Sequence, residues 1–182
     1  MTSRTDDRRL LARVAEGDHE AFTTVMRTHE DRVFSVCLRI MGNREHALDA
    51  TQETFLTTFR KAGQFKGKSA VGTWIYRIAV NTCYDILRRE KRRRADPIPD
   101  HVDPVDTQAE EAIDSVAIRP ELLRALGRLP KDFRGAIVLA DIEGLGLADV
   151  ASILNVPVGT VKSRVFRGRR LLAAELGNPI GQ

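Results

Sequence analysis

LADVASILNVPVGTVKSRVFRGRRLL, Leu147 to Leu172, holds two helical patterns separated by a break. Val150, Ala151 and Leu154 recur at three- and four-residue spacing; Asn155 and Pro157 interrupt; Val161, Val165 and Leu172 resume the pattern. Asn155 tolerates the left-handed backbone that a tight interhelical turn requires, and Pro157 cannot extend the first helix. Ala151 is small where two helices must approach closely. The spacing predicts a helix over 148–154 and a second from near Gly159, arranged as a helix-turn-helix. Its second helix leaves Lys162, Ser163, Phe166, Arg167 and Arg170 on the outer face. In a major groove, Lys and Arg reach guanine edges and Ser donates to phosphate. A basic helix alone says little, but a basic second helix after such a turn points to DNA.

Outward from this stretch, charge divides the 182 residues into three parts. Residues 1–94 carry 19 Lys and Arg against 12 Asp and Glu, and 119–182 carry ten against six. Residues 95–118 carry seven acids and no Lys or Arg, with Pro97, Pro99 and Pro104 close together. Two basic bodies joined by an acidic tether are the charge pattern of two nucleic-acid binding units. The tether reads as extended and flexible; a passive solubilising role is the plain alternative. Before the break, Pro120 suits the first turn of a helix with Leu122, Leu123 and Leu126, and Pro130 begins another with Phe133, Ile137 and Leu139, closed near Gly144.

The N-terminal body is helical throughout. Leu10, Leu11 and Val14 mark a short helix closed by Gly17, and Asp18 is placed to cap the next. Phe22, Met26, His29, Val33, Cys37 and Ile40 then form a stripe, in which His29 reads as a packed histidine and Cys37, like Cys83, as a buried free thiol. Asn43 caps a third helix, expected to turn Leu48, Thr51, Phe55 and Phe59 inward and Asp49, Gln52 and Glu53 outward. After the loop GQFKGKS, a long helix from about Ala70 to Arg94 carries an apolar stripe of Val71, Trp74, Ile75, Ile78, Thr82 and Ile86. On another face Thr73, Arg77, Asn81, Tyr84 and Arg88 align, offering hydrogen bonds to base edges and a ring for stacking. A merely solvated face is the alternative. The helix ends in RREKRRR, where Arg89, Lys91, Arg92, Arg93 and Arg94 suit phosphates without reading sequence.

These patterns predict an all-α chain of two small helical domains, 1–94 and 119–182, the second with the helix-turn-helix, joined by a flexible acidic linker, 95–118. No apolar run in the first eighteen residues is long enough for a signal peptide or membrane span, so a cytoplasmic protein without membrane insertion is expected. No Cys/His cluster has metal-ligand spacing, and no cofactor is implied.

Two segments resemble the extracytoplasmic-function (group IV) sigma factors of bacterial RNA polymerase. ALDATQETFLTTFRKAGQFKGKSAVGTWIYRIAVNTCYDILRREKR is similar to sigma region 2, and ALGRLPKDFRGAIVLADIEGLGLADVASILNVPVGTVKSRVFRGRRLL to region 4. The resemblance implies a factor that binds core polymerase through its β′ and β subunits, reads promoter −10 and −35 elements and assists melting, with no chemistry of its own. It implies that Asp49, Gln52, Glu53 and Phe55 dock on the β′ coiled coil. Phe65, Lys66, Lys68 and Ser69, with Trp74 and Asn81, would capture a flipped −10 base, beside Arg77, Tyr84 and Arg88. Thr160, Lys162, Ser163, Arg164, Phe166, Arg167 and Arg170 would read the −35 element. The linker would thread toward the RNA exit channel. An anti-sigma factor is an implied partner, and could hold the protein at the membrane. The chain departs from the family at Val71, often Phe there, and at Gly146-Leu147-Ala148-Asp149, where Gly is a weaker cap.

Two other classes fit less. A stand-alone helix-turn-helix repressor leaves the first basic body unexplained. A nuclease needs clustered carboxylates; Asp49 and Glu53 lie one turn apart without a further ligand. Dependence on core polymerase separates a sigma factor from a repressor, and inhibition by chelator would mark the enzyme.

Overall fold

The computed structural model describes residues 4–95 and 119–177, so the linker expectation, apart from Ala95, lies outside the described residues. Among them every regular element is helical. α1 (Arg4–Ala15), α2 (His19–Met41), α3 (Arg44–Lys61) and α4 (Val71–Ala95) form the N-terminal half. α5 (Pro120–Arg128), α6 (Lys131–Ile137), α7 (Leu147–Leu154) and α8 (Val158–Glu175) form the other. α6 runs on into a wider π turn, Val138–Ile142, that ends against Glu143.

The ends lie close to where local chemistry puts them. Asp18 Oδ1 accepts from Ala21 N at 2.9 Å and Asn43 Oδ1 from His46 N at 3.0 Å, each satisfying an orphan donor of a first turn. Gly42 closes α2 in the left-handed region, φ 70°. Pro120 opens α5. Asn155 has φ 53° and ends α7, so the turn has the geometry its residue type suggested. Gly146 caps α7 with no side-chain bond.

Two inward faces differ from expectation. On α3 the core side is Ala47, Ala50, Thr54, Phe55 and Thr58, while Leu48 faces out. Small residues let α3 lie close against α2 and α4, and the buried threonines return their hydroxyls to the helix itself, Thr54 to Ala50 O at 2.6 Å and Thr58 to Thr54 O at 2.8 Å. On α4 the buried set is Val71, Thr73, Ile75, Tyr76, Ala79, Val80 and Cys83, whereas Ile78, Thr82 and Ile86 are half-buried. α4 packs against α2, α3 and, from the other half, α7, which buries an arc that a one-sided stripe does not anticipate. Cys37 and Cys83 are both fully buried free thiols, and their mutual hydrogen bond with burial pushes the Cys83 thiol up. His29 packs half-buried with Nε2 3.4 Å from Asp7 Oδ2.

The two halves are not separate bodies. Their buried apolar residues form one cluster, from Leu11 and Val25 to Ile137, Leu139 and Val161. Polar groups tie it together. Arg39 Nη1 donates to Glu143 Oε1 at 2.9 Å and also meets the Ser35 hydroxyl. Both members of that ion pair are nearly covered, with side chains 12% and 11% exposed. Arg134 donates to Ile40 O at the end of α2 and to Leu129 O, 3.0 Å away, after α5. One guanidinium thus serves carbonyls that two helix ends leave unpaired. Tyr84 donates to Lys131 O at 3.1 Å. A Cβ on Gly135 would overlap the Tyr84 hydroxyl, so only glycine lets the ring lie there.

Burial dominates the electrostatics of this seam. It pushes the Glu143 carboxyl above its ordinary range despite Arg39 and Arg32, pulls the Arg39 guanidinium down despite Glu143, and raises Tyr76, near Glu143, to about 12. The Glu143 contribution to stability is therefore present below the usual glutamate pKa and lost as pH rises through the raised value. The ion pair fixes how the halves meet more than it stabilises them.

Glu143→Ala should strand the Arg39 charge and cost about 2–4 kcal/mol in urea denaturation. Combining Arg39→Met with Glu143→Leu should return stability to within about 1 kcal/mol of wild type; a double variant as weak as the single one would show that the pair is a net stabiliser. Within the C-terminal half, α8 crosses α6 at Gly168, where a Cβ would lie 2.8 Å from Ile137 Cγ1. Gly168→Ala should thus destabilise by about 1–3 kcal/mol, overriding the helix-propensity gain. A rise in melting temperature would contradict that tight crossing.

Candidate nucleic-acid interface

α8 begins immediately after the Asn155–Pro157 turn, and Val161, Val165 and Gly168 anchor it inward. That register turns Lys162, Ser163, Phe166, Arg167 and Arg170 to solvent, and Phe166 stands 65% exposed. An aromatic ring that open, among cations, offers apolar surface to whatever the helix meets. Ser163 currently donates its hydroxyl to Thr160 O at 2.9 Å, and Thr160 is half-buried. Arg164 departs from its expected place: it is only 21% exposed and its Nη2 lies 3.3 Å from Asp132 Oδ2. Its position, one residue before inward-facing Val165, turns it toward α6. Arg164 is therefore held against Asp132 and is not part of the outer face in this arrangement. Arg169, beside the row, is bound to Asp141 at 2.9 and 2.6 Å.

In the N-terminal half the loop before α4 is pinned at its start. Phe65 lies against Trp74, ring centres 5.4 Å apart, both half-buried. Lys66 and Lys68 are exposed and Ser69 is half-buried. One helical face then presents Arg77, Asn81 and Arg88 to solvent, Arg88 in contact with Asp85. Of the other two members of the polar face, one is buried and one is half-buried. Thr73 is buried at the start of α4. Tyr84 is covered by the C-terminal half at Lys131 and Gly135, and burial pushes its hydroxyl pKa well up. Beyond them Arg89, Lys91, Arg92 and Arg93 are exposed; Arg88, Arg89, Lys91 and Arg92 line a basic trench shared with Lys131 of the other half. The Arg94 side chain lies outside the described ones.

A second groove, of about 690 Å³, runs between α3 and α4. Asp49, Gln52, Glu53 and Leu56 line one wall and Asn81, Asp85 and Arg89 the other. Phe55 does not belong to it: the ring is 5% exposed and faces the core between α3 and its neighbours. Its place on the outer face is taken by Leu48 and Leu56, 41% and 49% exposed, which flank Gln52 at four-residue spacing. That spacing was readable in the sequence, but Leu48 was assigned inward because a hydrophobic pattern outweighs alanine and threonine. Arg8, Arg39, Tyr76, Arg134, Gly135 and Glu143 are further residues that hold these surfaces, and no local sequence motif marks them, because each acts across the fold.

Sigma-70 region 2 matches residues 25–93 and Sigma-70 region 4 matches residues 119–172. The chain is 39% identical over 171 residues to the ECF RNA polymerase sigma factor SigM of Mycobacterium tuberculosis, covering 94% of this chain and 85% of that protein. It is 38% identical over 164 residues to the ECF RNA polymerase sigma factor SigE of Mycolicibacterium smegmatis, of whose length it spans 63%. Its fold is like that of the sigma factor RpoE of Bartonella quintana, solved in complex with the anti-sigma factor NepR, with a TM-score of 0.68, 24% identity and coverage of 86% of this chain and 96% of that one. No helix among the described residues is long and apolar enough to cross a membrane. With both regions matched in order and a relative 39% identical over most of both chains, the chain belongs to the extracytoplasmic-function sigma factors of RNA polymerase, which confer promoter-specific transcription initiation.

Proposed function

We propose that 1–94 and 119–182 act as separate DNA-reading units on core polymerase, and that 95–118 connects them. The observation that supports this most is α8, where Lys162, Ser163, Phe166, Arg167 and Arg170 form an open face on a helix that follows a turn of helix-turn-helix geometry. Arg167 and Lys162 suit guanine edges, and Phe166 suits a thymine methyl or sugar. The loop Phe65–Ser69 with Trp74 and Asn81 takes a flipped base of the −10 element, a step that costs a few kcal/mol of unstacking. Arg77, Arg88 and Arg89 to Arg94 follow the backbone. The groove with Asp49, Gln52, Glu53 and the exposed Leu48 and Leu56 receives the β′ subunit; Phe55 supports it from beneath. An anti-sigma factor is the natural regulatory partner. The chain supplies binding and positioning, and the polymerase supplies the chemistry.

The closed seam matters to this function. Tyr84 and Arg164 were each assigned to DNA from sequence, and both are engaged in or beside the seam, Tyr84 at Lys131 and Arg164 at Asp132. The −10 and −35 elements lie about two helical turns, roughly 70 Å, apart. A segment of 24 residues would span only about 25–30 Å as a random coil and about 80 Å when fully drawn out. The halves therefore part on the polymerase, which holds them at promoter spacing and frees Tyr84 from Lys131, whereas the Arg164–Asp132 pair lies within the C-terminal half and must open there.

Reconstitution with core polymerase tests the assignment. Holoenzyme should protect both promoter elements, whereas the chain alone should bind the same duplex weakly. In holoenzyme, Arg167→Ala should cost about 1–3 kcal/mol and relax preference at one −35 position. Arg92→Ala should weaken all sequences alike and lower the salt dependence. Uniform loss from Arg167→Ala, with base preference intact, would reduce that residue to a phosphate contact. Tight specific binding by the chain alone would favour a repressor.

A further inference from the structure

α1 lies outside the matched region 2 segment, which begins at residue 25, yet it is built against the loop that precedes α4. Arg8 Nη2 donates to Gly67 O at 2.8 Å and reaches Ser69 O at 3.5 Å. These carbonyls lie inside the loop, between the last bond of the preceding turn, Phe65 N to Ala62 O, and the first of α4, Trp74 N to Ala70 O. Gly67 has φ +66°, a left-handed conformation that only glycine adopts freely. A Cβ there would sit 4.0 Å from Arg8 Cζ. At the other end of α1, a Cβ on Gly63 would lie 3.8 Å from Ala15 Cβ, so the helix flanks the segment from both ends.

α1 is a firm support. Leu11 and Val14 are buried at 1% and 2% exposure, Asp7 faces His29, and Arg13 binds Asp18 at 2.9 and 2.6 Å. The loop itself is soft by composition: a glycine, two exposed lysines and a serine lose much conformational freedom when ordered. On one side the Phe65 ring is fixed against Trp74; on the other the Gly67 and Ser69 carbonyls are fixed by Arg8. A pocket that discriminates one base from another needs its walls held to within about half an ångström. Phe65 alone holds only the first residue of the loop.

We infer that α1 is a working part of the base-reading unit, with Arg8 as the positioning residue that holds the loop Phe65–Ser69 in its reading conformation. The inference rests on the assignment of that loop to the −10 base. Arg8 acts through Gly67 and Ser69 and touches no base, so its loss should lower discrimination more than affinity. Charge alone would do the opposite, since a lost cation weakens all sequences alike. Arg9, exposed on the same helix, supplies the matched control.

The test uses holoenzyme assembled from core polymerase and full-length chain. The probe is a single-stranded oligodeoxynucleotide carrying the −10 element of a promoter mapped with wild-type holoenzyme, together with its single-base substitutions. Wild type should prefer the mapped sequence. Arg8→Ala should lower that preference about five- to tenfold, leave binding of mismatched probes nearly unchanged, and leave core association unchanged. Arg8→Lys, which keeps one donor, should restore part of the preference, and Arg9→Ala should keep all of it. In the free chain, Arg8→Ala should speed amide exchange across 65–70 while leaving α2 and α4 protected, which also shows that the variant folds. Intact preference in Arg8→Ala, an equal and uniform loss from Arg8→Ala and Arg9→Ala, or unchanged exchange across 65–70 would each overturn the inference. If wild-type holoenzyme itself ignores the −10 substitutions while Arg8→Ala still loosens the loop, the loop assignment has failed and the support role in DNA reading falls with it.

Discussion

The Tyr84 ring lies over Gly135 because that position has no side chain, and the halves of the molecule meet around this contact. Everything at the seam is fitted to it. Arg134, the next residue back along α6, covers the open carbonyls after α5 and at the end of α2. The π turn that continues α6 ends at Glu143, which reaches Arg39 and approaches the Tyr76 hydroxyl at 3.5 Å. Apolar side chains fill the space between these polar ties, so the two halves share one core. The polar ties make this seam specific more than strong, since its ion pair returns little net energy after desolvation and its hydrogen bonds are each worth about 1 kcal/mol; whatever parts the halves must cover the apolar surface they share.

That balance suits a protein that must exchange one interface for another. In the closed arrangement α8 keeps its outer row open, and α4 keeps Arg77, Asn81 and the basic end open, while Tyr84 and Arg164 are occupied. On the proposed function, promoter contact through the open residues alone does not bring both halves to their elements while the seam holds them together. A partner that binds the groove between α3 and α4 and also engages the C-terminal half could supply the energy to part them.

Much of this was legible in the sequence where the governing physics is local. Asp18, Asn43, Gly42, Pro120 and Asn155 mark helix ends by capping and backbone preference, and each lies at its expected end. The outer row of α8 followed from a simple helical period. The reading slipped where packing is many-sided or made of small residues. Ala47, Ala50, Thr54 and Thr58 carry little hydrophobic signal, so the pattern turns Leu48 inward where it is exposed; the same pattern turns Phe55 inward, where it lies, and only the family resemblance sets it on the docking surface. α4 is covered from three directions, so its stripe was too narrow. The helical period leaves Arg164 off the outer row of α8 and only the family resemblance adds it; its contact is with Asp132, distant in sequence. The seam itself could not be read, because Arg39 and Glu143 are 104 residues apart and no pattern links them.

The central claim is that the halves close on one another and separate on the polymerase. Spin labels at Glu30→Cys on α2 and Ser152→Cys on α7, both exposed, would report it, since Cys37 and Cys83 are buried and free of label. The pair distance should be single and short in the free chain. In the complex of core polymerase and promoter it should lengthen by tens of ångströms, toward the roughly 70 Å that separates the two elements. The same short distance in a complex that initiates transcription would contradict the account.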